Sequence, residues 1–195
     1  MALSKVDAVN FLTGTIPSGN VANATLNAVT TLPGAIATGK VLQVVSATKT
    51  DTQVTSTATF VDVSGLSLSI TPSSASNKIF LVVNINIDGL ERYMGVRFVR
   101  DSTDIGIGDA EDDRTRLTVS SMRNHSPTGD NYVMHNSSAS FLDTPNTTSA
   151  TTYKIQAGLH YGSAQTLNIN RPDTDDDNTY IARGISTLTA CEIAG

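Results

Sequence analysis

The stretch Lys78-Ile79-Phe80-Leu81-Val82-Val83-Asn84-Ile85-Asn86-Ile87 decides the fold. Ile79, Leu81, Val83, Ile85 and Ile87 recur with a period of two, so in an extended chain all five side chains leave from one face. The opposite face carries Phe80, Val82, Asn84 and Asn86, apolar at one end and amide at the other. A run this rich in β-branched residues, with one face apolar throughout, predicts a central strand of a sheet whose inner side is a core.

The same alternation continues outward from it. Leu66-Ser67-Leu68-Ser69-Ile70-Thr71 and Tyr153-Lys154-Ile155-Gln156-Ala157-Gly158-Leu159-His160-Tyr161 are each predicted to bury one face. Further strands are predicted at Val41 to Ala47, Gly95 to Arg100, Arg116 to Ser121, Tyr132 to Leu142, Thr166 to Asn170 and Ile185 to Ile193. Pro72, Pro127, Pro145 and Pro172 fall between these runs, and no segment holds a helical stripe. Composition agrees: 27 Thr and 20 Ser make up 47 of 195 residues, Trp is absent and aromatics are 5%. About ten antiparallel strands at this spacing, without βαβ rhythm, predict an all-β jelly-roll sandwich. The last strand mixes Leu188, Ala190 and Cys191 across both faces, so one side is expected to meet the core and the other a symmetry mate.

Upstream the pattern changes. Met1 to Gly39 carries only Lys5 and Asp7 as charges and is broken by Gly14, Pro17, Gly19, Pro33 and Gly34. It cannot bury a core of its own, yet Phe11, Leu12, Ile16, Val21, Leu26, Val29, Leu32 and Ile36 are spaced through it. Residues 1–39 therefore read as an extended N-terminal attachment arm ordered on other subunits, or a short shaft wound from several copies, and residues 40–195 as the β domain.

Charge excludes some partners. Lys+Arg 13 against Asp+Glu 18 gives a net charge of -5, which supplies no basic field for a nucleic acid. No apolar run of about 18 residues exists to span a bilayer as a helix. Asp7 and Asn10 interrupt any signal-peptide core, so a chain kept in a cytoplasm until assembly is expected. The single Cys191 rules out an internal disulfide and a cysteine zinc cage, and in an apolar strand it reads as a small core residue.

Chemistry-bearing patterns are few. Gly34-Ala35-Ile36-Ala37-Thr38-Gly39-Lys40 approaches a phosphate-binding loop, but Val41 replaces the magnesium-ligating hydroxyl and a strand pattern follows. Asp173, Asp175 and Asp177 have the spacing of a calcium loop, while Asn178 stands in place of Gly and Gly184 in place of Glu. With Asp176, and with Arg171 and Arg183 beside them, they read either as candidate cation ligands or as a solvated acidic turn. A second acidic loop, Asp109, Glu111, Asp112 and Asp113, runs into Arg114 and Arg116; convergence of the two loops would gather carboxylates at one end. His125, His135 and His160 have no metal spacing, no GxSxG elbow occurs, and only three Glu are available to a glycosidase pair. No catalytic residue and no cofactor is predicted.

The residues also carry a likeness. Gly39-Lys40-Val41-Leu42-Gln43-Val44-Val45, Phe60-Val61-Asp62-Val63-Ser64-Gly65-Leu66, Ile70-Thr71-Pro72-Ser73-Ser74 and Ser76-Asn77-Lys78-Ile79 resemble a group of virion structural proteins of marine bacteriophages. Arg100-Asp101-Ser102-Thr103, Phe141-Leu142-Asp143-Thr144-Pro145 and the ending Ser186 to Gly195 continue the resemblance, which covers Lys40 to the end. It departs at Glu111, Asp112 and Asp113, where small residues often stand, and at Cys191, where Met or Val is commoner. The resemblance implies a fibre or appendage component whose C-terminal domain is similar to the trimeric jelly rolls of complement C1q and tumour necrosis factor. It implies a homotrimer bound to capsid or tail proteins through residues 1–39, located in the virion, and no catalysis. The alternative is a carbohydrate-binding receptor module, meeting host surface glycans through the loops Asp109 to Arg116 and Asp173 to Arg183. Trp is absent for sugar stacking, leaving Tyr93, Tyr132, Tyr161 and Tyr180.

Overall fold

The computed structural model describes residues 40–56, 59–89, 93–121, 132–160 and 166–195. The arm, His125 and Tyr161 lie outside the described residues. Those described contain eleven strands and no helix. They are β1 Val41–Lys49, β2 Gln53–Ser56, β3 Val61–Ile70, β4 Lys78–Gly89, β5 Met94–Arg100, β6 Thr103–Ile105, β7 Val119–Ser121, β8 His135–Asp143, β9 Thr151–Leu159, β10 Thr166–Ile169 and β11 Ser186–Ile193. All pairings are antiparallel and form two sheets.

The eleven segments fill eight strand positions. Ile87 of β4 pairs with His135 of β8 and with Ile169 of β10, so β10 lies across β4 from β8, on the side that β11 occupies over Lys78 to Asn84. β10 and β11 are thus two halves of one broken strand, and β1 and β2, paired to them in turn, are halves of another. In the second sheet β6 and β7 both pair with β5, at Phe98 to Arg100 and at Met94 to Val96, and share a third broken position. Counted by position, the first sheet runs one, eight, three, six and the second two, seven, four, five. That order is the double Greek key of a jelly roll.

The predicted central strand is β4, paired on both sides. β2 and β6 escaped prediction because four and three residues are too few for a period to be read. The predicted strand Arg116 to Ser121 shortens to Val119–Ser121, and that at Tyr132 begins at His135. His160 ends up one residue past β9.

Between the sheets lies the core. Ile79, Leu81, Val83, Ile85 and Ile87 of β4 are fully buried, facing Leu66, Leu68 and Ile70 of β3, Met94, Val96 and Phe98 of β5, and Tyr153, Ile155 and Leu159 of β9. Each such aliphatic side chain contributes roughly 1.5–3 kcal/mol on leaving water. At Gly65, φ is +81° where the β3–β9 register slips between Asp62 and Ser67, a left-handed bulge that a side chain would strain.

Buried polar groups sit where strands break or loops close. Asn170, with φ +61°, donates from Nδ2 to the carbonyls of Lys49 and Asp51 at 2.9 Å and accepts from Ser186 Oγ at 2.6 Å. One amide therefore satisfies backbone oxygens left by the β1–β2 break and ties them to the start of β11. Near the other end, Glu192 is buried and accepts from Gln43 Nε2 at 2.6 Å, Ser73 N at 2.7 Å, Ser73 Oγ at 2.8 Å and Asn77 Nδ2. Burial pushes its carboxyl up, but the bonds from Asn77, Gln43 and Ser73 together outweigh burial and hold it at about 2. Asp143, also buried, accepts from Tyr153 Oη at 2.6 Å and pairs with Arg100 at 2.9 Å.

Candidate functional site

The outward faces of the two sheets differ in chemistry. On the second sheet, Lys154 reaches Asp62 at 2.8 Å, Gln156 donates to Asp62 at 2.7 Å, and Arg97 donates twice to Gln156, at 3.0 and 2.7 Å. Arg97 also pairs with Asp104 and lies over the Phe60 ring, 4.6 Å from its centroid. The bonds from Lys154 and then Gln156 hold the Asp62 carboxyl below its ordinary value. A face of charges paired with one another suits water.

On the first sheet, register brings apolar residues into line. Val44 of β1 lies opposite Cys191 of β11, Cys191 opposite Phe80 of β4, and Phe80 opposite Leu142 of β8. The row crosses four strand positions, with Val44 60%, Phe80 37% and Leu142 47% exposed. Leu42 and Val82 extend it and are also exposed. The adjoining row is Ser46, Thr189, Val82 and Ser140, and the next Thr48, Thr187, Asn84 and Ser138. Among the exposed outward positions of these four strands Lys78 is the one charge; Asp88, on the same face of β4, is buried.

The upper end of the same face is covered by the chain itself. Asp88 and Asn168, register partners on β4 and β10, are buried under residues 170–185: Asp173 N donates to Asp88 Oδ2 at 2.7 Å, and Asn168 Nδ2 to Asp173 Oδ1 at 3.4 Å. This acidic loop interrupts the β10–β11 position and closes at its base with a bond from Gly184 N to Asn170 O at 3.2 Å. Asp175 is clamped by Arg183 and Arg171, the latter at 3.4 Å. Asp176 and Asp177 line an open recess with Asn178, Ile181 and Arg183. Tyr180 and Tyr132, both exposed, meet edge to face with centroids 5.2 Å apart.

The other acidic loop, residues 106–118, interrupts the β6–β7 position and is likewise pinched at its base, Gly108 N donating to Leu117 O at 3.1 Å. Asp109, Glu111, Asp112 and Asp113 are exposed on it. Arg114 lies 3.8 Å from Glu111, and Arg116 Nε donates to the Gly108 carbonyl at 2.6 Å. The two acidic loops line separate recesses, and among the described residues no group of three or more His, Cys, Asp or Glu is placed to hold a metal ion.

Asp113, Arg114 and Thr115 face Tyr93 and His160 across a recess of about 390 Å³. The two rings meet edge to face, centroids 5.7 Å apart and planes at 76°. Burial lowers the His160 pKa from its ordinary value. Sequence reasoning named Tyr93 and Asp113 separately; nothing in their spacing brings His160 to them. It also placed Phe80 and Val82 on one face without their partners Val44, Cys191 and Leu142, which only register supplies.

No family model matches the chain, and no curated protein does. Among solved structures the chain is similar to the infectious bursal disease virus VP2 subviral particle, with TM-score 0.35 and 10% identity, over 77% of this chain. The chain spans 39% of the length of that one.

Proposed function

We propose that the chain is a non-enzymatic structural component of a virion, assembled as a homotrimer through the outward face of its first sheet and attached to the particle through residues 1–39. The observation that carries the assembly is the row Val44, Cys191, Phe80 and Leu142, with Cys191 half-buried and the other three exposed, on a face whose exposed strand positions carry a single charge. Depletion of charge and enrichment in aromatic and apolar side chains are what the centre of a subunit interface requires. The paired charges of the opposite sheet supply the solvent face of such an assembly. Closure by rotation would bury the row in every copy and leave no open end.

A jelly roll by itself implies no function. The virion role rests on the resemblance of residues 40–195 to phage structural proteins. The test is the mass of the full chain by light scattering, with Phe80→Glu beside it. A trimer that falls to monomers in the variant, with an unchanged β-sheet circular dichroism signal, is expected. A monomer at micromolar concentration overturns the assembly. Deletion of residues 1–39 should leave the β signal and abolish incorporation into particles; particles that lack the intact chain overturn the virion role.

A further inference from the structure

We propose that the recess between the Tyr93–His160 corner and Asp113, Arg114 and Thr115 binds one unit of a neutral saccharide. The recess is open to solvent, with a volume, about 390 Å³, at the lower end of the range for small-molecule sites. Its back wall is fixed before any ligand arrives. His160 N donates to the Tyr93 carbonyl at 2.8 Å, and Thr115 Oγ1 to the His160 carbonyl at 3.4 Å, so the loop is tied to the backbone that carries the rings. A wall already in place costs little ordering on binding.

The chemistry selects the ligand. A sugar ring has an apolar C–H face and a rim of hydroxyls, each both donor and acceptor. The edge-to-face pair of Tyr93 and His160 offers ring surface to the first. Asp113 accepts only and Arg114 donates only, so between them they can answer both the donor and the acceptor side of sugar hydroxyls. Anionic ligands are opposed by Asp109, Glu111 and Asp112 beside Asp113, within a chain of net charge -5. Among its described lining residues there is no aliphatic side chain for a long apolar ligand and one carboxylate, Asp113, for a divalent cation. A second recess of about 380 Å³ shares Arg114 and Thr115 with the first, so a chain of sugars has room to continue toward Asp109 and Glu111. None of the described lining residues lies on the outward face of the first sheet, so the site stands or falls apart from the assembly proposed above.

The experiment is saturation-transfer NMR on the full chain with millimolar methyl pyranosides of glucose, galactose, mannose, rhamnose and N-acetylglucosamine. Transfer to ring C–H protons of at least one is expected. Affinity should fall by about tenfold or more, equivalent to about 1.4 kcal/mol, in Arg114→Ala and in His160→Ala. Arg114 is 75% exposed, so its replacement should leave the melting midpoint in place. No transfer from any sugar of the panel overturns the inference, as does equal transfer in the two variants. Inorganic phosphate should not displace the bound sugar; displacement would make the recess an anion site and overturn it too.

Discussion

Replacing Glu192 by Gln tests the reading of the β1–β11 end most directly. In the native chain Oε1 accepts from Ser73 N, Ser73 Oγ and Asn77 Nδ2, and Oε2 accepts from Gln43 Nε2, all on a buried side chain. The substitution turns one oxygen into a donor aimed at other donors. Gln43 cannot answer by turning its amide without losing its 2.7 Å bond to the Thr71 carbonyl. Loss of one charge-assisted bond with a donor left facing a donor costs about 1–3 kcal/mol at pH 7. The pH dependence is more specific. The carboxyl falls from 4.5 in the unfolded chain to about 2 when folded, and at ~1.4 kcal/mol per pH unit this amounts to about 3 kcal/mol. A depressed carboxylate contributes its stability above pH 4.5 and loses it as pH falls from there toward 2. The assay is urea unfolding of native and variant chains at one protein concentration, at neutral pH and at steps down to pH 3. The gap between the two should be full above about pH 5 and shrink steadily below it, because titration of the other carboxylates cancels in the difference. A gap of constant size down to pH 3 would refute the assignment.

Two further perturbations follow from contacts already described or implied. A Cβ at Gly158, within β9 and between β3 and β5, would stand 2.8 Å from Phe60 Cα and 2.9 Å from the Thr59 carbonyl, so Gly158→Ala should cost about 2 kcal/mol; an unchanged melting midpoint would contradict it. Because Asp175 is already neutralised by Arg171 and Arg183, millimolar Ca²⁺ and Na⁺ at the same ionic strength should shift the midpoint equally. A calcium-specific rise that Asp175→Asn removes would sink this reading.

The parts of the fold legible in the sequence are those written in one continuous period. Ile79 to Ile87 announces β4 because five residues on one face are all needed to fill the core, and the same holds for Leu66 to Ile70 and Tyr153 to Leu159. What was not legible depends on chain segments far apart. β2 and β6 exist because their partners, β10 and β5, template them; alone, Gln53–Ser56 and Thr103–Ile105 carry no pattern. Glu192 draws its partners from Gln43, Ser73 and Asn77, more than a hundred residues away, so its burial as an ion has no local signal. The apolar row of the first sheet was half visible, since Phe80 stood out on the face opposite the core; Cys191, read from the sequence as a small core residue, instead lies half-buried on that outward face, and its alignment with Phe80, Val44 and Leu142 is a product of register. The acidic loops were visible as charge. Their separation, and the Arg clamp on Asp175, were not.

The pinched bases of the two loops, Gly108 to Leu117 and Asn170 to Gly184, separate the evolution of the surface from that of the scaffold. Each excursion leaves a strand position and returns to it through a backbone hydrogen bond, so the ladder on either side does not register how much chain lies between. Lengthening such a segment costs little, about 0.6 kcal/mol for each doubling of a flexible loop. A lineage can therefore exchange residues 109–116, and the part of the second excursion beyond Asp173, which covers Asp88 and Asn168, while the core stays as it was, and the same places are the natural sites for grafting foreign peptides onto the domain.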